Sequence, residues 1–392
     1  MSLALPSGWR PPRYGQQTLA ELLPSLAAVL GVPGYDDVLG LSGSLPDVRR
    51  IVVVLIDGLG RANLAGHPDV APTLAGFADP CGGLDAVAPT TTPANLTSLS
   101  TGRPPGEHGI VGFTVAVPGS GQLLTHISWG TDPDPRRWQP LPSVLAAVEP
   151  TATGAVVGPA AFLGSGLTTA MHRDVGYRGT VSAGDVIAGT VEAASAAPRT
   201  LTYAYHGDLD TTGHVRGCSH PSWRAQLGLV DAMVAAILAG LPPDAALLVT
   251  ADHGMIDVPA TGKVDLDAID GEDGELARQL ADGVAIVAGE PRARYLHTLP
   301  GAAVEVAAAW QAMLGDRVVA MSRAEMIETG LAGARVTADA AARIGDVVCW
   351  AAPGTAFVQS RRDPGGAALI GYHGSLTETE LTVPLLLGRP GR

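Results

Sequence analysis

"IVVVLIDGLG", residues 51–60, is an unbroken run of β-branched and aliphatic residues followed by an aspartate and two glycines. A strand that is buried on both faces of a parallel sheet has such a continuous apolar run, and the aspartate and glycines are typical of the turn at its carboxyl end. The same pattern recurs in "TLTYAYHGDLD" at 200–210 and in "AALLVTADHG" at 245–254. The sequence therefore predicts buried parallel strands with polar residues at their ends.

The segment between the last two strands has the spacing of a helix. In "SWRAQLGLVDAMVAAILAGL", residues 222–241, large apolar residues recur every three or four positions. A strand, a helix and a second strand in this order form a βαβ crossover. The predicted fold is thus α/β, with a mostly parallel sheet sandwiched by helices, and ligands bind such sheets at the carboxyl ends of the strands.

The composition changes near residue 259. Charged and glycine-rich stretches at 270–283 and 363–368 bracket short strand and helix patterns. We interpret 259–368 as a small α+β subdomain inserted into a main domain formed by 1–258 and 369–392.

Overall composition excludes some functional classes. The chain has 392 residues with 25 basic and 38 acidic side chains, a net charge of −13 and no basic run, which argues against binding a nucleic acid polymer. The three cysteines form no CxxC motif, and the prolines near the N-terminus are not typical of a signal peptide. The apolar runs at 51–56 and 383–388 are strand-sized. We therefore expect a cytoplasmic protein without a membrane anchor.

Several residues with metal-binding side chains follow the predicted strands or lie in short glycine-containing loops. They are Asp57, Asp210, His214, Asp252, His253 and His373. Each of them alone is compatible with an ordinary turn residue. Together, three carboxylates and three imidazoles could bind two divalent ions, with zinc favoured and manganese or iron also compatible. Two such ions can stabilise the attacking and leaving oxygens of a displacement at phosphorus.

The stretch "APTTTPANLTSLSTG", residues 88–102, adds a candidate nucleophile. Pro93 suits the first position of a helix, which makes Thr92 the predicted N-cap, and Gly102 ends the helix. Thr92 could be only a cap, or it could be a nucleophile activated by a metal ion. Asn95 could be an exposed helix residue, or its amide could face a phosphoryl oxygen.

These motifs, in their order along the chain, resemble the alkaline phosphatase superfamily. The matching set is "VVLIDGLG", "PTTTPANLTSLSTGRPPGEHGI", "DLDTTGH", "TADHGM" and "GYHG". Within the superfamily, the chain resembles the type I phosphodiesterase and nucleotide pyrophosphatase branch. That branch also has an insertion before its last zinc histidine.

The resemblance implies a two-zinc hydrolase with a covalent phosphothreonine intermediate. In such an enzyme Thr92 is the nucleophile and Asn95 contacts the phosphate. The resemblance also divides the metal ligands into two sets. One zinc ion would bind Asp210, His214 and His373, and the other would bind Asp57, Asp252, His253 and Thr92.

Two departures from the family pattern bear on the substrate. Nucleotide pyrophosphatases typically have Phe-Pro after the nucleophile, and alkaline phosphatases have a nearby arginine, whereas this chain has Pro93 and Ala94. We predict hydrolysis of a small phosphodiester, nucleotide or pyrophosphate. Alternatives are a phosphonate such as phosphonoacetate, a phosphomonoester, a sulfate ester, or a non-catalytic metal-binding protein. Trp129, Trp138 and the segment 131–140 could form a substrate lid or a surface loop.

Overall fold

The computed structural model describes residues 5–6 and 9–391. Its strands are β1 (Arg50–Ile56), β2 (Leu84–Asp85), β3 (Thr114–Ala116), β4 (Leu123–Thr125), β5 (Thr153–Pro159), β6 (Gly176–Thr180), β7 (Thr200–His206), β8 (Ala245–Thr250), β9 (Ile256–Asp257), β10 (Lys263–Asp265), β11 (Val284–Glu290), β12 (Ala293–Thr298), β13 (Val318–Ser322), β14 (Val347–Ala351), β15 (Ala356–Val358), β16 (Gly371–Tyr372), β17 (Thr382–Val383) and β18 (Leu385–Gly388).

The helices are interspersed among these strands along the chain. They are α1 (Leu19–Val29), α2 (Arg61–Ala65), α3 (Pro72–Gly76), α4 (Thr92–Thr101), α5 (Pro105–His108), α6 (Pro135–Trp138), α7 (Val144–Ala147), α8 (Gly166–His172), α9 (Ala183–Ser195), α10 (Asp208–Arg216), α11 (Pro221–Gly240), α12 (Gly271–Ala281), α13 (Ala303–Leu314), α14 (Arg323–Glu328), α15 (Ala338–Arg343), α16 (Pro364–Ala368) and α17 (Glu378–Leu381). Short 3₁₀ turns lie at Leu41–Gly43, His126–Ser128, Ala160–Phe162, Ala260–Gly262 and Gly315–Arg317.

The central sheet has six strands in the order β18-β8-β1-β7-β5-β6. All neighbouring pairs are parallel except β18 with β8 at one edge. Strand β1 is the predicted strand at 51–56, and these six residues are fully buried because β7 and β8 flank it. The predicted α/β fold with a mostly parallel sheet flanked by helices is confirmed.

Helix α11 connects β7 to β8 as the predicted crossover. Its buried face includes Trp223, Leu227, Val230, Val234 and Ile237, which belong to the same apolar core as β1. By length and composition alone, α11 is long and apolar enough to cross a membrane. A single such helix is weak evidence for a span, because buried core helices pass the same test.

A second sheet lies within the segment predicted to be an insert. It is antiparallel, with the order β11-β12-β14-β13, and its residues fall between 284 and 351. The chain returns from this region through β16, which pairs with β9. The strand that leaves the main domain and the strand that re-enters it are therefore neighbours. The predicted boundaries at 259 and 368 stay predictions.

The two tryptophans of the predicted lid or surface loop are core residues. Trp129 and Trp138 pack edge-to-face with ring centroids 6.1 Å apart, and both are buried. The guanidinium of Arg343, from the second half of the chain, lies 3.5 Å from the centre of the Trp138 ring. Both expectations for these two side chains were wrong, because residues distant in sequence cover them.

Candidate active site

The first group of metal-binding residues follows two neighbouring strands. Asp57 comes directly after β1, and Asp252 and His253 come two and three residues after β8. Because β1 and β8 are parallel and paired in register, their carboxyl ends lie side by side. His253 Nε2 is 3.5 Å from Asp57 Oδ1 and 3.4 Å from Asp252 Oδ2. We name Asp57, Asp252 and His253 the strand-end cluster.

The second group joins a helix to a loop from the far end of the chain. Asp210 and His214 lie one turn apart in α10, with His214 Nε2 3.4 Å from Asp210 Oδ1. His373 follows β16, and its Nε2 is 3.2 Å from that of His214. We name Asp210, His214 and His373 the loop cluster. In each cluster, one ligand atom from every residue lies within 4.8 Å of the others.

The two clusters are adjacent. The rings of His253 and His373 stack with centroids 3.5 Å apart. Gly58 has a left-handed φ of 74°, and a Cβ there would lie 3.1 Å from atoms of Asp210. Glycine therefore lets the chain after β1 turn close to the loop cluster.

Thr92 lies beside the strand-end cluster, with its Oγ1 3.1 Å from His253 Nε2. Helix α4 begins at Thr92 itself, so the flanking residue is Thr91 and not Thr92, and the side chain of Thr91 caps no backbone N–H. The predicted N-cap was wrong by one residue, because Pro93 is also tolerated at the second position of the first turn.

Thr90 has a contact that the sequence did not indicate. Its hydroxyl donates a hydrogen bond to the Ser375 carbonyl at 2.8 Å and accepts one from the Gly374 N–H at 3.0 Å. Its own carbonyl accepts a bond from His373 Nδ1 at 2.8 Å. Thr90 therefore joins the threonine segment to the loop that carries His373.

The structure does not place Asn95 in either of the ways considered. The side chain is fully buried, and its Oδ1 accepts a hydrogen bond from the Val87 N–H at 2.6 Å. Its Nδ2 donates to the carbonyls of Pro89 and Thr91 at 3.3 and 3.0 Å. Since both ends of the amide bind the segment that leads to Thr92, the amide supports the position of Thr92 and does not face a phosphoryl group.

Each of the three carboxylates has a buried oxygen without a hydrogen-bond partner in the described part of the chain. These atoms are Asp57 Oδ1, Asp210 Oδ1 and Asp252 Oδ2. Burial raises the pKa of Asp57 and of Asp210 well above the ordinary value and raises that of Asp252 to about 6. Buried carboxyl oxygens without donors are costly, so the arrangement suits a bound cation.

The three imidazoles of the clusters are also oriented to bind a cation. The Nδ1 atoms of His214, His253 and His373 each lie within 3.1 Å of a backbone carbonyl, namely those of Gly371, Gly254 and Thr90. A hydrogen bond from Nδ1 fixes the tautomer in which the Nε2 lone pair is free for a metal ion. Burial lowers the pKa of His253 to about 3, which favours the neutral imidazole.

A cavity of about 580 Å³ opens in front of both clusters. Apart from the polar groups of the clusters, much of its wall is apolar, including Leu96, Phe113, Leu167 and Met171. None of the described side chains that line it is a lysine or arginine. A second cavity, of about 610 Å³, lies between the hairpin β3–β4 and the antiparallel sheet, and Phe113 borders both.

One residue near the strand-end cluster was missed in the sequence. Tyr205, in β7, donates a hydrogen bond from its hydroxyl to Asp57 Oδ2. The alternating "TYAYH" pattern shows that Tyr203 and Tyr205 share a face of the strand, yet it does not show that only Tyr205 reaches a carboxylate.

The chain belongs to the type I phosphodiesterase/nucleotide pyrophosphatase family, whose model matches residues 51–376. This family is part of the alkaline phosphatase superfamily, and its members are metal-dependent hydrolases with two-metal sites. No curated protein matches the sequence.

Solved structures of murine and human ectonucleotide pyrophosphatase/phosphodiesterase 5 have the same fold. The murine protein is 19% identical over 86% of this chain and 87% of its own, with a TM-score of 0.66. An inactive threonine-to-alanine variant of the murine protein, in complex with AMP, is 19% identical over 87% of this chain and 88% of its own, with a TM-score of 0.68. The human protein is 19% identical over 87% of this chain and 88% of its own, with a TM-score of 0.67.

Proposed function

We propose that this protein is a two-metal phosphodiester hydrolase that acts through a covalent phosphothreonine at Thr92. The observation that carries the proposal is the position of the Thr92 hydroxyl, 3.1 Å from His253 Nε2 and adjacent to two groups of metal-binding residues. The solved inactive threonine-to-alanine variant of a structural neighbour supports the choice of a threonine as nucleophile.

Each cluster offers three protein ligands, the number that catalytic zinc sites typically have. Asp57, Asp252 and His253 would bind one ion together with Thr92, and the loop cluster would bind the other. The nitrogen and oxygen ligands favour zinc and also suit manganese or iron. When bound, two such ions supply charge stabilisation and lower the pKa of a coordinated alcohol or water.

In the proposed reaction Thr92 Oγ1 attacks phosphorus in line with the leaving oxygen. The bond from phosphorus to the leaving group breaks as the bond to Thr92 forms, and the leaving group departs as an alcohol or a phosphate. Water then cleaves the phosphothreonine and restores the Thr92 hydroxyl. The contacts of Asn95 keep the segment before Thr92 in place for this attack.

The proposed substrates are small phosphodiesters, nucleotides or pyrophosphates. The AMP complex of the structural neighbour supports a nucleotide. Among these substrates, the cavity wall favours a phosphodiester with a single negative charge, because none of the described residues in the wall is a lysine or arginine and a second negative charge would favour an additional cation. A cytoplasmic location, expected from the cysteine content, stays a prediction.

The nucleophile is tested with Thr92→Ala on bis-p-nitrophenyl phosphate. We expect the variant to keep its metal content, measured by elemental analysis, and to lose hydrolysis by at least about a thousandfold. Thr101→Ala is a matched control at the other end of α4, where the Thr101 hydroxyl donates only to the Thr97 carbonyl. Unchanged turnover by Thr92→Ala would disprove the assignment.

A further inference from the structure

Glu290 is a buried acid at the border between the two cavities. It is the last residue of β11, only 4% exposed, and it lines both cavities. Its Oε1 has no hydrogen-bond partner among the described residues. An unpartnered buried carboxyl oxygen in the wall of a binding cavity is costly for the folded protein and therefore calls for an explanation.

The surroundings of Glu290 place it close to the proposed reaction centre. Gly374 directly follows His373, and a Cβ on Gly374 would lie 2.9 Å from the Glu290 Cγ. The Thr91 hydroxyl interacts with the Glu290 carboxyl but is itself buried without a well-formed hydrogen bond. Glu290 therefore lies beside the residue that precedes the nucleophile.

No cation of the protein forms an ion pair with this carboxyl in the described part of the chain. The nearest candidate, Arg294, directs its guanidinium to the Phe357 carbonyl, with N–O distances of 2.9 and 2.7 Å. Burial raises the pKa of Glu290 to about 8, against smaller opposing effects of Thr91 and Arg294. The missing partner can come from a bound molecule.

In-line attack determines which part of a substrate could supply that partner. The leaving group must point away from Thr92, whereas Glu290 lies on the Thr92 side, next to Thr91. The ester group that stays on phosphorus is therefore the part of the substrate that can extend toward Glu290. The apolar residues of the same cavity, such as Phe113 and Leu96, suit the carbon chain of that group.

Resting on the proposed function, we propose that Glu290 is a specificity-determining residue that binds a hydrogen-bond donor on the non-leaving ester group. The donor is an ammonium or a hydroxyl a few atoms from phosphorus. A bound ammonium would stabilise the ionised carboxylate that burial disfavours, whereas a carboxylate or a second phosphoryl group would give it no such stabilisation. The substrate class is thus a phosphodiester with an amino or hydroxyl group on a short alkyl ester.

The test uses three 4-nitrophenyl phosphodiesters whose second ester group is 2-aminoethyl, propyl or carboxymethyl. These groups are of similar length and differ in charge. For the zinc-loaded protein we expect kcat/KM for the 2-aminoethyl ester to exceed that for the propyl ester by about tenfold, the effect of one charge-assisted hydrogen bond. The carboxymethyl ester should be the poorest substrate.

Glu290→Gln tests whether this residue causes the preference. The variant keeps the size of the side chain and removes the charge, so the ratio of kcat/KM between the aminoethyl and propyl esters should fall toward one. Because the ratio is measured within one preparation, a loss of folded protein does not change it. Asp363→Asn is the matched control, since Asp363 also lines both cavities but accepts a hydrogen bond from the Gly366 N–H.

The outcomes separate the two proposals. Equal kcat/KM for the three esters in the wild-type protein, or an unchanged ratio in Glu290→Gln, overturns the role of Glu290 and leaves the hydrolase proposal intact. If no ester is hydrolysed, the proposed function fails and the role of Glu290 fails with it. The wild-type series is decisive even where the variant does not accumulate.

Discussion

The two clusters that form the site differ in how the fold holds them. The strand-end cluster is fully buried and comes from turns after two neighbouring strands of the central sheet. In the loop cluster Asp210 and His214 are half-buried, and His373 arrives on a segment that returns from the antiparallel sheet. Backbone pairing fixes the first cluster, whereas the second depends on side chains that hold the returning segment.

A buried ion pair is the main side-chain contact that holds the returning segment. Arg292, from the hairpin β11–β12, binds Glu380 through Nε at 2.6 Å and Nη2 at 2.8 Å, and neither side chain is exposed. Glu380 in turn accepts a hydrogen bond from the Ser375 N–H at 3.0 Å. The antiparallel sheet therefore supports the loop that carries His373, which gives it a structural connection to the site.

The largest expected effect separates the two clusters directly. Asp252→Asn preserves the shape of the side chain and removes one charge from the fully buried cluster, where water cannot replace the ligand. We expect phosphodiester hydrolysis to fall on the order of a thousandfold, equivalent to about 4 kcal/mol. Asp210→Asn in the half-buried cluster should cost about tenfold less. Equal losses in kcat for the two variants would contradict the difference between the clusters.

A second substitution acts on the support of the loop cluster. Arg292→Met leaves Glu380 buried without its partner, so we expect a loss of roughly 3–5 kcal/mol in the free energy of unfolding. Metal affinity of the loop cluster should fall more than that of the strand-end cluster. Urea unfolding and stepwise metal titration measure these effects. Arg278→Ala, which removes an exposed ion pair with Glu275, is the control and should leave the free energy of unfolding nearly unchanged.

In the metal-free protein, the contribution of Asp252 to stability should fall as pH rises. A carboxyl whose pKa is raised by folding stabilises the protein fully below its unfolded pKa, and this contribution is lost as pH rises through the folded pKa. For Asp252 the window runs from 3.8 to about 6. A shift of this size corresponds to roughly 3 kcal/mol. Urea unfolding of the metal-free proteins between pH 4 and 8 should show that the free energy of unfolding of the wild type, relative to that of Asp252→Asn, decreases as pH rises. An identical pH dependence of the two proteins would refute the role of Asp252.

The smallest expected effect concerns Tyr205. Tyr205→Phe removes the hydroxyl that donates to Asp57 Oδ2, and loss of such support should weaken metal binding at the strand-end cluster by about tenfold. Tyr203→Phe, in the same strand, is the matched control, because the Tyr203 hydroxyl is buried without a hydrogen-bond partner among the described residues. Similar metal affinities of the two variants would show that the Tyr205 bond does not support the cluster.

The sequence by itself determined the sheet, the βαβ crossover and the chain positions of the metal-binding side chains. Continuous apolar runs are specific to buried parallel strands, and residues that follow such strands must meet at one edge. Asp57 and Asp252 could be placed at the same edge of the sheet for that reason alone, and the structure added that their strands are neighbours. The division of the six residues into two sets needed the resemblance to a family as well.

Only the tertiary structure decided where the other side chains point. Asn95 binds backbone groups of its own approach segment, Trp138 is covered by Arg343, and Glu290 reaches the cavity from a strand about 200 residues after Thr92 in the chain. No local sequence pattern encodes these contacts or the orientations of these side chains. The positions of strands along the chain follow from short-range periodicity, whereas the direction of a polar side chain depends on which atoms in the folded protein offer it a partner.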